Sequence, residues 1–502
     1  MSIDPEIPKQ LQLYSAEQSR NIDRETIEHF GIDGFTLMEI AAKGAADHIQ
    51  KEFGLNKTGL FVCGKGNNAG DALAAARYLT ENADHKVILF FVFGMEDLSP
   101  NTQRNFALLQ KLAEKGSDIE FISDLDESLV NSTDYIIDGI FGTGLSSEIR
   151  EPVASYIKII NDSEKPVISM DVPSGLHPDS GVPLGTSIQA DITCSFGTQK
   201  MGHFFNPGKE FAGRVVYVDL PFPRHLRKST ITVINNELSE ALPSNERKAD
   251  HKYQSGVVHL IAGSKGLVGA AIMAAKSAWK SGAGSVILYA PENLIPIYES
   301  VLPHIIKVPL PGNDHFIPDH IDTILEKISN KPGILLIGPG IGLSVETKRF
   351  VSNLLLRYQG PAVIDADALS EWENLKSQPD NKKRNWILTP HAGEASKFLG
   401  LKFKNDSERF NTSKEFSDEN SVSLLMKGNP TFYHSVGKSF VTGYDTTPFT
   451  RAGFGDVLAG TIATKWGITD NIYLSPVMAL LEGYDTYSKK EYTPPFGPEH
   501  LL

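Results

Sequence analysis

Gly453-Phe454-Gly455-Asp456-Val457-Leu458-Ala459-Gly460 sets two glycines ahead of one aspartate and an apolar run behind it. Bare N–H groups at a helix start attract anions. A carboxylate at the mouth of such a loop can take a proton from a substrate hydroxyl. The same residues also fit a glycine-rich turn with Asp456 as an ordinary cap. Other reactive types stand upstream in one order: Asp365 and Asp367, then Thr389, His391 and Glu394, then Lys427. Singly, His391 reads as a solvated loop histidine and Lys427 as an exposed charge. The Asp365/Asp367 pair reads as a structural turn or as an organiser of Mg²⁺.

The first half has its own set: Asn67, Asn68 and Asp71, then Asp138 and Thr143, then Asp171 and Ser174. Asn68, Asp138 and Ser174 make an all-oxygen group with one formal negative charge. That suits an alkali cation or Mg²⁺ better than zinc, and it also fits hydrogen-bonded loop caps. Gly64-x-Gly66-x-x-Ala69 matches the loose dinucleotide fingerprint, but Asn67-Asn68 and the poor spacing of Gly94-Met95-Glu96-Asp97 count against a Rossmann cofactor site.

These residues follow short apolar runs, which read as strands. In the first half the runs are 59–64, 86–94, 135–144, 166–175, 190–197 and 214–220. Helices are expected over 15–30, capped by Ser15, over 36–50, after the 66–71 loop, and over 101–115. Strands alternating with helices predict a parallel, doubly wound α/β sheet, in which ligands bind past the carboxyl ends of the strands. The second half repeats the order with runs at 257–263, 285–290, 333–338, 361–369, 386–394 and 423–431. No Walker A is present: Gly437-Lys438-Ser439 has Phe432 where the upstream glycine belongs, so a phosphate site must be built from the glycine loops.

A chain of 502 residues exceeds one ordinary core, so at least two domains are expected. The polar stretch 221–250 carries three prolines and places the boundary near 226, giving domains 1–226 and 227–502. A formal charge of −13 argues against nucleic acid or an anionic membrane as partner. Cys63 and Cys194 make no disulfide framework or metal knuckle. With no apolar leader or spanning run, a cytoplasmic protein is expected.

GNNAGDA (66–72), IDGIFGTGL (137–145), MDVPSGL (170–176) and TCSFGTQKMG (193–202) resemble the N-terminal domain of bacterial bifunctional NAD(P)H-hydrate repair enzymes, a Rossmann-like three-layer αβα domain. There it is the NAD(P)HX epimerase. The resemblance implies that Asn67, Asn68, Ala69, Gly70 and Asp71 contact the hydrated nucleotide, as do Gly142, Thr143, Gly144, Leu145, Ser146, Ser147 and Glu148. It implies K⁺ on Asn68, Asp138 and Ser174, and Asp171 as acid/base in contact with substrate. The family usually shows GNNGGDG; Ala69 and Ala72 replace two glycines here, and the Ala69 methyl is expected to narrow the approach of substrate.

HKYQSG (251–256), GSKGLVGAA (263–271), GPGIG (338–342), DADAL (365–369), LTPHAGE (388–394), KGNPT (427–431) and GFGDVLAG (453–460) resemble the ribokinase-like ADP/ATP-dependent NAD(P)H-hydrate dehydratase. Here the resemblance implies that Ala270, Gly340, His391 and Asp456 line the substrate, with Asp456 catalytic. Lys427, Gly428, Asn429, Pro430, Thr431 and Gly455 would hold ADP, with Mg²⁺. The loop before Asp456 departs from the family's NPGMATGG; its Arg451 is expected to contact phosphate and its Ala452 to cost little only at negative φ. The whole reads as a homo-oligomeric enzyme acting on NADHX, NADPHX and ADP. The alternatives are a ribokinase-like small-molecule kinase fused to a regulatory nucleotide-binding domain, and a binding protein with one inactive domain.

Overall fold

The computed structural model describes residues 7–242, 256–312, 314–376, 384–492 and 494–502. The motif 251–256 therefore lies outside the described residues except for Gly256. The chain separates into two compact units, 8–229 and 230–502, the second also taking in residue 7.

In the first unit the sheet runs Ile119–Ile122, Lys86–Phe91, Thr58–Cys63, Tyr135–Gly139, Val167–Met170, Ile192–Phe196, Arg214–Val218. Every pairing is parallel. The central strands are buried along their length because helices cover both faces. One face packs on helices Gly34–Phe53, Asn67–Ala83 and Pro100–Glu114, the other on Val153–Asn161. A short parallel pair, Gln12–Tyr14 with Gln199–Lys200, is additional. Helix Ala16–Glu28 starts at Ser15 with a reciprocal capping box to Gln18.

In the second unit the strand order is Ile306–Leu310, Ser285–Pro291, Val257–Ile261, Ile334–Ile337, Ala362–Ile364, Trp386–Leu388, Ser423–Met426, Phe432–Ser435, Lys438–Thr442, Ile231–Ile234. Pairing is parallel as far as Ser423–Met426. Phe432–Ser435 then runs antiparallel to both its neighbours. The strands Ile119–Ile122, Ile306–Leu310, Ile231–Ile234 and the 432–442 hairpin were not expected from the runs. Helix Phe454–Thr469 lies against Val268–Lys280. A Cβ at Gly460 would stand 2.1 Å from Ser277 Oγ and 2.3 Å from the Ala274 carbonyl, so glycine there lets the two helices touch.

Candidate active sites

In the first unit a cavity of about 1000 Å³ opens over the carboxyl ends of the strands. Gly66, Asn67 and Asn68 line it where the 17-residue helix Asn67–Ala83 begins. Thr102 holds the Gly66 carbonyl at 2.9 Å, and Ser99 donates to Asn67 at 2.8 Å. The loop after Tyr135–Gly139 supplies Gly142, Thr143, Gly144, Leu145, Ser146 and Ser147. Arg20 ties that loop to helix Ala16–Glu28 through the Thr143 carbonyl, 3.0 Å.

Asp171 stands at the floor. Its φ of +61° is left-handed, uncommon for a residue with a side chain. Its N–H donates to the Cys194 carbonyl at 2.8 Å, and its Oδ1 accepts the Phe196 N–H at 3.1 Å. Lys200 closes an ion pair on the same oxygen, the two side chains being 2% and 16% exposed. Lys200 also donates to the Thr198 carbonyl at 2.9 Å. Sequence reasoning quoted Lys200 within a motif but gave it no role. It also passed over Asp23, which lines the same cavity. Burial first, then the Asp171 charge, raises the carboxyls of Asp23 and Asp71, with Lys200 opposing.

Several expected contacts fall elsewhere. Ala69 and Gly70 are buried and do not line the cavity. Ala69 and Ala72 belong to the stripe packed on the sheet, so their methyls fill core rather than crowd a ligand. Glu148 is exposed and outside the lining. Asp138 and Ser174 are buried and absent from the lining. Asp138 accepts from Ser169 Oγ at 2.7 Å, from the Ser174 N–H at 2.8 Å and from the Ile140 N–H at 3.2 Å. Asn68 Nδ2 and Ser174 Oγ both donate to the Phe141 carbonyl, at 2.9 and 3.2 Å. Asn68 and Ser174 thus meet at one carbonyl, and Ser174 Oγ links them to Asp138 Oδ1 at 2.5 Å. Burial raises the Asp138 carboxyl and its hydrogen bonds offset part of the rise.

In the second unit Gly453 caps helix Phe454–Thr469 at φ +96°. Asp456 falls in the first turn. Burial pushes its carboxyl up to about 7, with Asp365, Glu394 and Asp367 adding to the rise and Lys427 opposing it. Lys427 Nζ lies 2.9 Å from Asp365 Oδ1, which also accepts from Thr389 Oγ1 at 2.6 Å. Burial works against the Lys427 charge, yet Asp365, Glu394 and Asp456 outweigh it and hold the ammonium above its usual pKa. A Cβ at Gly455 would lie 3.3 Å from Lys427 Nζ, which sets the ammonium at the helix start. Asp367 accepts the Gly342 N–H at 2.9 Å. Gly340, at φ +60°, is packed so closely on Ala270 that an added Cβ would lie 3.0 Å from the alanine's.

His391 uses its Nδ1 within its own turn. It caps helix Ala392–Phe398, accepting the Gly393 N–H at 3.0 Å, and is exposed. The 427–431 loop is largely self-satisfied. Thr431 Oγ1 donates to the Gly428 carbonyl at 2.8 Å, Asn429 Nδ2 to Asp445 at 2.7 Å, and Arg409 takes the Pro430 carbonyl. Arg451, expected on phosphate, donates to the Phe496 carbonyl at 3.1 Å. Ala452 is not among the left-handed residues, so its methyl carries no strain.

Residues 34–202 match the family described as YjeF-related protein N-terminus, and 258–479 match that described as NAD(P)H-hydrate dehydratase. The chain is 32% identical over 461 residues to a bifunctional NAD(P)H-hydrate repair enzyme of Salinibacter ruber, covering 87% of this chain and 84% of that one. It is 31% identical to the enzyme of the same name from Dictyoglomus turgidum, covering 90% and 89%. Among solved structures it is similar to the ADP/ATP-dependent NAD(P)H-hydrate dehydratase of Bacillus subtilis co-crystallised with ATP and Mg²⁺. That match has 23% identity and a TM-score of 0.45, and it covers 54% of this chain and 94% of that one. The match to the named relatives spans both units and both sites, and the chain belongs to the family of bifunctional NAD(P)H-hydrate repair enzymes.

Proposed function

We propose that the unit 8–229 epimerises R and S hydrates of NADH and NADPH, and that the unit 230–502 dehydrates the S form at the expense of ADP. The observation carrying the first half is Asp171, aimed into a cavity of about 1000 Å³ and fixed by Lys200. A hydrate of a dihydropyridine has its hydroxyl on the carbon beside the ring nitrogen, so proton delivery to that oxygen lets the nitrogen expel water. Asp171 handles that proton, and the Lys200 ammonium fixes the position of its carboxyl group. The helix start at Gly66–Asn68 faces the nucleotide's phosphates.

K⁺ is assigned to Asn68, Asp138 and Ser174. Their chemistry fits: all-oxygen donors, one buried carboxyl, and, among the described residues, no lysine or arginine hydrogen-bonded to it. When bound, the ion supplies a fixed positive charge behind the 142–148 loop.

In the second unit the carrying observation is Asp456, held near pH 7 at a helix start beside Lys427. Asp456 takes the hydroxyl proton as that oxygen attacks the terminal phosphorus of ADP, and the bond to AMP breaks. Lys427 and the N–H groups of the first turn face the charge on the transferring group. The ring nitrogen pair then expels phosphate, and loss of a proton from the adjacent carbon restores NAD(P)H. Mg²⁺ does not fit a ready-made protein cage: among the described residues no cluster of three or more His, Cys, Asp or Glu is placed to hold a metal. Asp365 is taken by Lys427 and Thr389, and Asp367 by Gly342. The ion fits as one that arrives on the nucleotide's phosphates.

Hydrated NADH, ADP and the two single variants test the assignment. Asp456→Asn abolishes ADP-dependent NADH formation, read by absorbance, and leaves R/S exchange intact; Asp171→Asn does the reverse. Replacing K⁺ by tetramethylammonium slows exchange alone. Loss of both activities in either folded variant, or exchange indifferent to K⁺, refutes the corresponding assignment.

A further inference from the structure

Interconverting R and S hydrates inverts one carbon. A hydroxyl must leave one face of the ring and return to the other. In a single bound orientation, one carboxyl group reaches one face only. The cavity holds carboxyls that the chemistry above leaves idle. Asp23 comes from helix Ala16–Glu28 and Asp71 from the start of helix Asn67–Ala83, and both line the cavity with Asp171. The three therefore enter from three different elements. Among the described residues, burial and through-space charges act on the Asp23 and Asp71 carboxyls and no hydrogen bond does, whereas Asp171 is tied by Lys200 and the Phe196 N–H. The site thus contains a fixed, ion-paired carboxylate and carboxyls with open valence.

We propose that Asp23 is a second catalytic residue of the epimerase site, carrying the proton on the ring face away from Asp171. The inference rests on reading this cavity as the site of R/S exchange. In one direction the Asp23 carboxyl gives its proton to the substrate hydroxyl. The C–O bond breaks, the nitrogen lone pair forms C=N⁺, and water is released. Water adds to the opposite face, the C=N⁺ pair returns to nitrogen, and the surplus proton passes to the Asp171 carboxylate. The reverse reaction exchanges the roles, and solvent at the cavity mouth resets the protons between turnovers. No further reactant is needed.

The charged groups facing Asp23 agree with this division. Burial first, then the charge of Asp171 at the strand end, favours a protonated Asp23, and the Asp23 charge in turn helps raise Asp71 on helix Asn67–Ala83. Lys200 opposes, but its ammonium is engaged by Asp171. Arg20 on the same helix is drawn to the Thr143 carbonyl, and Lys65 lies 3.7 Å from Asp97. An acid with a raised pKa is lost as pH rises, so exchange by the native protein falls on the alkaline side.

The test uses the full chain. Asp23→Asn lowers kcat for R/S exchange by about a hundredfold, with KM little changed, and removes the alkaline limb of the pH profile in the one direction of exchange in which Asp23 is the donor. Asp23→Glu restores much of the rate and the limb. Dehydration of the S hydrate, run on the same preparations, stays at the native level and reports that the chain is folded. The proposal is overturned if Asp23→Asn keeps the native kcat. It is also overturned if kcat falls but the alkaline limb persists in both directions of exchange, or if glutamate fails to rescue. If Asp171→Asn also exchanges normally, the reading of the cavity itself fails, a result that no Asp23 variant alone can produce.

Discussion

Asp171 and Asp456 are both carboxylates served by a lysine, yet they are poised differently. Lys200 is bonded directly to Asp171. Lys427 is bonded to Asp365 and acts on Asp456 only through space. Asp456 therefore stays a weak acid, brought to about 7 by burial and by the charge of Asp365. As a base it works only when ionised. Dehydratase kcat/KM is expected to rise with pH, about tenfold per unit on the acid side, and to level off above about 7. Lys427→Ala removes a cation that lowers Asp456, so the midpoint moves to higher pH while the rate falls. A profile flat from about pH 6 to 8 in the native protein contradicts a titrating Asp456.

The elements carry the next layer of precision. Gly453 alone sets how helix Phe454–Thr469 begins: at φ +96° a Cβ would also stand 2.7 Å from Met273 Sδ. Gly453→Ala is expected to cost roughly 1–2 kcal/mol from the left-handed backbone alone, more with the clash, and to depress dehydration while leaving epimerisation unchanged. Ala452→Gly, one residue earlier, is expected to change melting little; an equal loss at both positions refutes the assignment of strain. The central strands were legible because parallel strands covered on both faces read as unbroken apolar runs. The edge strands Ile119–Ile122 and Ile306–Leu310 are only partly buried, so their runs are broken by Glu120 and Lys307. The 432–442 hairpin reads as one mixed stretch around Gly437, and only its antiparallel pairing separates it. Ala69 was misjudged although its signal was present: with Ala72, Leu73 and Ala76 it follows the helical repeat of a core-facing stripe. Lys200 had a signal too, since a lysine in a fully buried strand needs a counter-charge. Its partner lies 29 residues back, and nothing local names it.

At the scale of the whole chain, each of the two compact units carries its own candidate acid, Asp171 just after strand Val167–Met170 and Asp456 in the first turn of helix Phe454–Thr469. Family membership was readable from clustered short motifs, whereas Asp23 and the closed hydrogen bonding of the 427–431 loop needed the fold. Asp456 has one further consequence, for how firmly its unit holds together. In an unfolded chain its carboxyl ionises near pH 4; in the folded unit it keeps its proton to about 7. Across that interval unfolding releases a proton, so stability drains away as pH rises, and above about 7 the full deficit remains. Asp456→Asn removes the deficit. It is expected to stabilise the second unit by on the order of 2–4 kcal/mol at alkaline pH and by almost nothing near pH 4. Urea unfolding at the two pH values checks this, and an equal gain at both contradicts it. A lineage released from the need to repair its nucleotides would then drift readily toward asparagine at 456, and the relic would outlast the enzyme it came from.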